Sequence, residues 1–256
     1  LYVLDPSQEV VRRHMEETHR VMSQEWGYEY WKIDGLSARD DHKSAHFFER
    51  PEVRAAFKEP CDDPLGLCIE ALRRGIGPKS IWVGCGGHYT GPEVGALDTA
   101  RLGADIVAGC YRNPPPKWNN YLAQGLMTLN QLFVHNIIWY NDPDTLMVPD
   151  ATPLSVARIA ATVVALPGQV TFAGDKLAEL SAERMRLLQQ CLPVCDVRPL
   201  DLYPIFEGVP IWDLKIRRAF GQWDVVSLFN WWSDEAVELG FQFEELGLPG
   251  GATRSC

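Results

Sequence analysis

Alternation constrains this chain most: through its first two thirds, short runs of strand character are separated by longer runs of helical spacing. After Ser7, the positions Val10, Val11, Met15, Thr18, Val21 and Met22 recur at three- and four-residue intervals, which predicts a helix that Ser7 caps and Gly27 ends. Strands are predicted over 28–34, 80–84, 97–102, 136–140 and 169–173. Helices are predicted over 65–74, 119–134, 154–166 and 182–191, the last capped by Ser181. Residues 37–64 read as a polar excursion with some helix around 51–58. Strands joined through helices pair in parallel, so the class is α/β. A closed (β/α)8 barrel needs eight strands, and this chain offers about five. The count leaves an open sheet or a partial barrel, with Leu1–Leu4 the stub of a further strand.

After about Pro199 the pattern changes. Short strands are predicted over 209–214, 215–220, 225–231 and 238–243, separated by turn residues. Residues 1–198 therefore read as the partial (β/α)8 (TIM-type) barrel and 199–256 as a small antiparallel β portion, truncated at its end. The chain starts at Leu1 within a strand-like run and finishes on Gly250-Gly-Ala-Thr-Arg-Ser-Cys256, so both ends read as cut from something larger.

Bulk properties narrow the partners. A formal net charge of −10 argues against nucleic acid and anionic membranes, which select basic surfaces. A neutral substrate such as a sugar fits better. The most apolar helical run, 154–166, is too short to span a bilayer and carries Arg158. Seven cysteines form no CxxC pair and leave an odd one over, which predicts reduced thiols and a cytoplasmic setting. Nine tryptophans can stack on sugar rings, although core filling explains them as well. His42 and His46 share the spacing of one helix face without a third metal ligand, so neither metal nor cofactor is expected.

Two short strings carry the chemistry, Lys32-Ile-Asp34 and Arg101-Leu-Gly-Ala-Asp105. Each sets a cation before an aspartate at even spacing, which in extended chain puts both side chains on one face. Two carboxylates so placed suit the nucleophile and the acid/base of a glycoside hydrolase. Lys32 favours the ionised Asp34 that must attack an anomeric carbon; a surface ion pair at a strand end is the plain alternative. Asp105 must keep its proton until the leaving oxygen takes it. A touching arginine works against that, and four extended residues span roughly 13 Å. Arg101 is thus aimed at a sugar hydroxyl, unless the segment is helical and the two form an i,i+4 ion pair. Gly103 fits a close approach of backbone to ligand. Cys85 ends a strand in the turn Gly84-Cys-Gly-Gly87, where a buried small residue is also a sufficient reading. Asp142 and Asp144, around Pro143, read as a structural turn, and Trp118, after three prolines, as loop packing.

The string Tyr30-Trp-Lys-Ile-Asp34 resembles the nucleophile strand of glycoside hydrolase family 36, the α-galactosidases of the melibiase clan. Val94-Gly-Ala-Leu-Asp-Thr-Ala-Arg-Leu-Gly-Ala-Asp105 resembles that family's Arg-x-Gly-x-Asp motif, and Trp139-Tyr-Asn-Asp-Pro-Asp144 its Trp-x-Asn-Asp-Pro-Asp segment. Trp223-Asp-Val-Val-Ser-Leu-Phe-Asn230 is similar to its trailing β domain. The resemblance runs over nearly the whole chain and makes it a C-terminal portion of such an enzyme. It implies a retaining hydrolase of terminal α-galactosides, with Asp34 as nucleophile and Asp105 as acid/base. Lys32, Cys85, Gly87 and Arg101 would bind an α-galactoside oligosaccharide or glycoconjugate, Cys85 near the sugar's 2-position. The family's large N-terminal β domain and first barrel strands have no counterpart here, and Gly86-Gly-His-Tyr-Thr90 departs from its usual continuation. A raffinose-synthase type galactosyl transferase, an α-N-acetylgalactosaminidase, and an inactive fragment or carbohydrate-binding remnant stand as alternatives. Unpaired parallel strand edges would favour self-association into a homo-oligomer.

Overall fold

The computed structural model describes residues 4–35, 44–87, 89–103, 105–106, 118–204, 211–231 and 235–248. It divides into two compact units, residues 1–103 with 137–142 and residues 104–136 with 143–256.

The first unit opens with α1 (Glu9–Arg20), prolonged by a π-helical turn over Val21–Glu25. Gly27, at φ 78°, ends it as the sequence implies. Ser7 does not cap it. Gln8 holds that position, and the Ser7 amide and hydroxyl both donate to Asp5 Oδ1, at 3.0 and 2.6 Å. β1 (Tyr30–Ile33) follows, then two short helices, α2 (Ser44–Glu49) and α3 (Pro51–Ala55). In α4 (Pro64–Ile76) the Asp63 carboxylate caps the Gly66 amide at 2.8 Å, and Pro64 takes the first helical position, where its missing N–H costs nothing.

β2 (Ile81–Gly84), β3 (Thr99–Arg101) and β4 (Tyr140–Asp142) complete a parallel sheet of order β1-β2-β3-β4. The fourth strand begins at Tyr140, four residues later than its apolar run suggests. Asn136 turns the chain at φ 56°, and the ladder with β3 starts only at Thr99–Tyr140. One face of the sheet is packed: Trp31, Trp82, Ala100 and Trp139 join Ile69, Leu72 and Ile76, which α4 presents at three- and four-residue spacing. Gly75 lets α1 and α4 approach closely, since a Cβ there would lie 2.3 Å from the Glu16 carbonyl oxygen. At the N-terminal end of β3, Asp98 Oδ2 accepts the Trp82 amide at 2.8 Å and Arg73 Nη1 at 3.0 Å.

The second unit holds α5 (Trp118–Asn130), β5 (Thr145–Leu146), α6 (Leu154–Ala165), β6 (Phe172–Ala173) and α7 (Ala182–Gln190). β5 pairs with β6 in parallel; at two residues it is too short for periodicity to reveal. Ser181 sits at the N-cap of α7 as expected, yet its oxygen accepts no helix N–H, and its hydroxyl donates to Asp150. β7 (Leu202–Pro204), β8 (Ile211–Arg218) and β9 (Gly221–Leu228) form an antiparallel sheet in that order. The expected break at 214–215 does not occur. β8 runs through it, because Lys215 finds Asp213 and Asp224 as ion-pair partners at 2.9 and 2.7 Å. The expected strand 238–243 is absent; residues Phe243–Leu246 make a 3-10 turn, and Lys215 donates to the Leu246 carbonyl. Among the described residues, Trp212, Leu214, Phe229 and Trp231 pack with Leu129 of α5 and Val163 of α6. Ile106, Leu146, Val148, Ala157 and Leu188 belong to another cluster.

Candidate active site

Strand alternation decides which side chains can act. Trp31, Trp82, Ala100 and Trp139 commit one face of the first unit's sheet to the core, so the residues between them occupy the other face. Register then orders that face in rows. Ile33 pairs with Gly84, Gly84 with Ala100, and Arg101 with Asp142. One residue past the first pairings, Cys85 N still donates to the Ile33 carbonyl at 2.8 Å. Asp34, Cys85, Arg101 and Asp142 thus stand in one row at the carboxyl ends of four parallel strands, with about 4.8 Å between neighbouring strands. Lys32 lies one row below Asp34, beside Val83, Thr99 and Tyr140.

The electrostatics agree with this row. The half-buried Cys85 thiol is pushed up, first by burial; the Arg101 cation opposes the rise, Asp34 adds to it, and Lys32 again opposes. Arg101, Asp34 and Lys32 therefore each lie within electrostatic reach of Cys85. Lys32 and Asp34 are exposed, whereas Arg101 is 6% exposed and Asp142 4%. The Tyr30 phenol is pushed up to about 12, by burial and then by the charge of Asp142. Tyr30 and Asp142 lie on the two outer strands of the sheet, with β2 and β3 between them. Gly35, at φ 84°, donates its amide to Asp34 Oδ1 at 2.7 Å.

Gly87 has a packing reason for being glycine. A Cβ there would lie 3.2 Å from Leu97 Cδ1 and 3.3 Å from the Ala100 Cβ. Asp142 was read as part of a turn, but the structure puts it on β4 in the row. Its signal was available, since Tyr140 and Asp142 have the same even spacing as Lys32 and Asp34.

Asp105 belongs to the second unit. β3 ends at Arg101, so the even spacing of Arg101 and Asp105 does not become a shared strand face, and the described residues of that segment are not helical either. Asp105 is exposed, while the next residue, Ile106, is buried and donates its amide to Asp144 Oδ2 at 2.6 Å. Asp144 adopts φ 71° after Pro143, consistent with a structural turn there. Trp118 opens α5, and His42 and the prolines before Trp118 lie outside the described residues. Among the described residues, no three His, Cys, Asp or Glu side chains cluster as metal ligands. No helix among them is long and apolar enough to cross a membrane.

No family model matches the chain. Among solved structures it is similar to an α-galactosidase from Thermus thermophilus in complex with p-nitrophenyl α-D-galactopyranoside. That match is 19% identical, covers 83% of this chain and 41% of that one, and has a TM-score of 0.56. It is also similar to a GH27 β-L-arabinopyranosidase from Geobacillus stearothermophilus in complex with arabinose, at 13% identity, 88% and 51% coverage and a TM-score of 0.61. The chain spans about half the length of these structures or less. At such identities the likeness is one of fold. The chain has a partial (β/α)8-type parallel sheet with helices, followed by a small three-stranded antiparallel sheet.

Proposed function

We propose that the chain is the site-bearing portion of a retaining glycoside hydrolase acting on terminal α-galactosides, of the family 36 type. The observation that carries this reading is the row Asp34–Cys85–Arg101–Asp142 with Lys32 beneath it, at the strand ends where barrels of this kind keep their catalytic groups. Asp34 attacks the anomeric carbon and forms a glycosyl ester while Asp105 gives its proton to the departing oxygen. Asp105 then takes a proton from the water that opens the ester. Lys32 and Arg101 hold the sugar's hydroxyls. Cys85 and Gly87 bound the space beside its 2-position, where a galactoside is told from an N-acetylgalactosaminide. Residues 1–198 form the barrel portion and 199–256 the β portion, and the reduced thiols suit the cytoplasm. The reading requires the two carboxyl groups to come within about 5–5.5 Å when substrate is bound.

The test is turnover of p-nitrophenyl α-galactoside by the chain and by its Asp34→Asn and Asp105→Asn variants, with product analysis in the presence of a second sugar to separate hydrolysis from transfer. Loss of activity in both variants supports the assignment; an active Asp34→Asn enzyme ends it. A second reading, a non-catalytic carbohydrate-binding remnant, draws on the partial coverage of both glycosidases. It predicts that galactose binds and that no turnover occurs.

A further inference from the structure

The second unit fixes the backbone beside Asp105 from two sides. Ile106 buries its side chain among Tyr121, Leu146, Val148, Ala157 and Ala160. Its amide donates to Asp144 Oδ2 at 2.6 Å, a short bond of the charge-assisted kind. Asp144 can reach that amide because the chain takes a left-handed turn there, at φ 71°, a conformation that suits Asp, Asn or Gly and few other residues. Asp105 is exposed and one peptide away. A displaced Ile106 amide displaces the Asp105 backbone with it.

Resting on the hydrolase reading above, we infer that Asp144 is a positioning residue for the general acid: its carboxylate holds the Ile106 amide and thereby aims Asp105. It acts through the backbone and selects no substrate. Losing it should therefore matter in proportion to how much the leaving oxygen needs a proton. A misplacement of about 1 Å can cost about 10²-fold in rate, and proton donation contributes about 10²–10⁴-fold when the leaving group is poor. A strongly acidic phenol departs without that help.

The experiment compares an alkyl α-galactoside with 2,4-dinitrophenyl α-galactoside on the 256-residue chain, using Asp144→Gly, Asp144→Asn and Asp105→Asn. Glycine keeps the left-handed turn and removes the acceptor; asparagine keeps both the turn and an oxygen. Asp144→Gly should lower kcat on the alkyl substrate about 10²-fold and change the dinitrophenyl substrate less than about threefold. Asp144→Asn should restore most of the loss. Equal falls on both substrates would mark Asp144 as a substrate contact or a fold-wide support, and unchanged alkyl hydrolysis would remove it from the reaction; either overturns the inference. If Asp105→Asn leaves alkyl hydrolysis intact, the hydrolase reading itself fails. If the chain turns over neither substrate, that reading also fails, and amide hydrogen exchange decides the anchor. Faster exchange at Ile106 in Asp144→Gly, with Leu129 unchanged, supports it, and an unaltered Ile106 overturns it.

Discussion

Replacing Asp98 by alanine should loosen the register of the sheet on which the candidate site depends. Oδ2 of Asp98 accepts the Trp82 amide at 2.8 Å and pairs with Arg73 at 3.0 Å. Its backbone donates to the Trp82 carbonyl at 3.0 Å and accepts from the Tyr140 amide at 2.9 Å. One residue thus ties β2, β3, β4 and α4 together. Alanine keeps the two backbone bonds and removes both side-chain ones. Trp82 is fully buried, so its amide is left without a partner, which costs about 1–3 kcal/mol. The ion pair is partly exposed and screened, and adds at most about 1 kcal/mol. The expected loss is therefore about 2 kcal/mol, or a fall in Tm of about 4–8 °C for a chain of this size. Asp98→Asn retains an oxygen for the Trp82 amide and should lose less than about 1 kcal/mol. Urea unfolding followed by tryptophan fluorescence measures both. The gap between wild type and Asp98→Asn should close in about 1 M salt, where the Debye length is about 3 Å. An alanine variant within about 0.5 kcal/mol of wild type, or one equal to the asparagine variant, would refute the assignment of the larger share to the Trp82 amide.

Two further outcomes follow from titrating groups. His135 is buried, and burial pushes its imidazole down to about 4, against a weaker upward pull from its bond to the Gly168 backbone. The unfolded chain takes up a proton below about 6.5 and the native one does not. Stability should therefore fall as pH drops from about 6.5 toward 4, by roughly 2 kcal/mol at pH 5. His135→Gln should flatten that part of the urea-midpoint profile, and an unchanged slope would show that His135 does not cause it. Cys85 should alkylate slowly at neutral pH, because burial and Asp34 both hold its proton. Peptide-resolved mass spectrometry should find it faster in Asp34→Asn and slower in Arg101→Met. Identical rates in all three proteins would mean that these side chains do not meet.

Much of the site was legible because strands enforce a period that side chains cannot escape. Trp31 and Ile33 go to the core, so Lys32 and Asp34 had to share the other face. The same rule failed at Asp105 because β3 stops at Arg101, and strand length depends on partners that one stretch of sequence does not contain. The run 136–140 has the composition of a strand, but Asn136 adopts a left-handed turn and Ile137 is exposed. Pairing with β3 selects Tyr140–Asp142 instead, and that shift brings Asp142 into the row. Caps misled for a related reason. Ser7 and Ser181 both precede helices, yet each hydroxyl donates to a nearby carboxylate, Asp5 and Asp150, and neither helix start carries the side-chain cap, an oxygen accepting a helix N–H, that the sequence implies. In the β portion, one strand was expected to end at 214 and another to begin at 215. Ion pairs from Lys215 to its neighbours carry the strand past that point.

The first unit is not contiguous in the chain: its fourth strand arrives only after an intervening stretch that belongs elsewhere. A polypeptide emerging from the ribosome therefore exposes the open flank of β3 throughout the synthesis of residues 104–139. Until Tyr140 appears, that flank has unpaired amides and carbonyls that another chain could engage. Translation speed and chaperone cover across this interval would then govern the yield of correctly assembled protein, and slow codons placed just after residue 142 would be better tolerated than the same codons just before it.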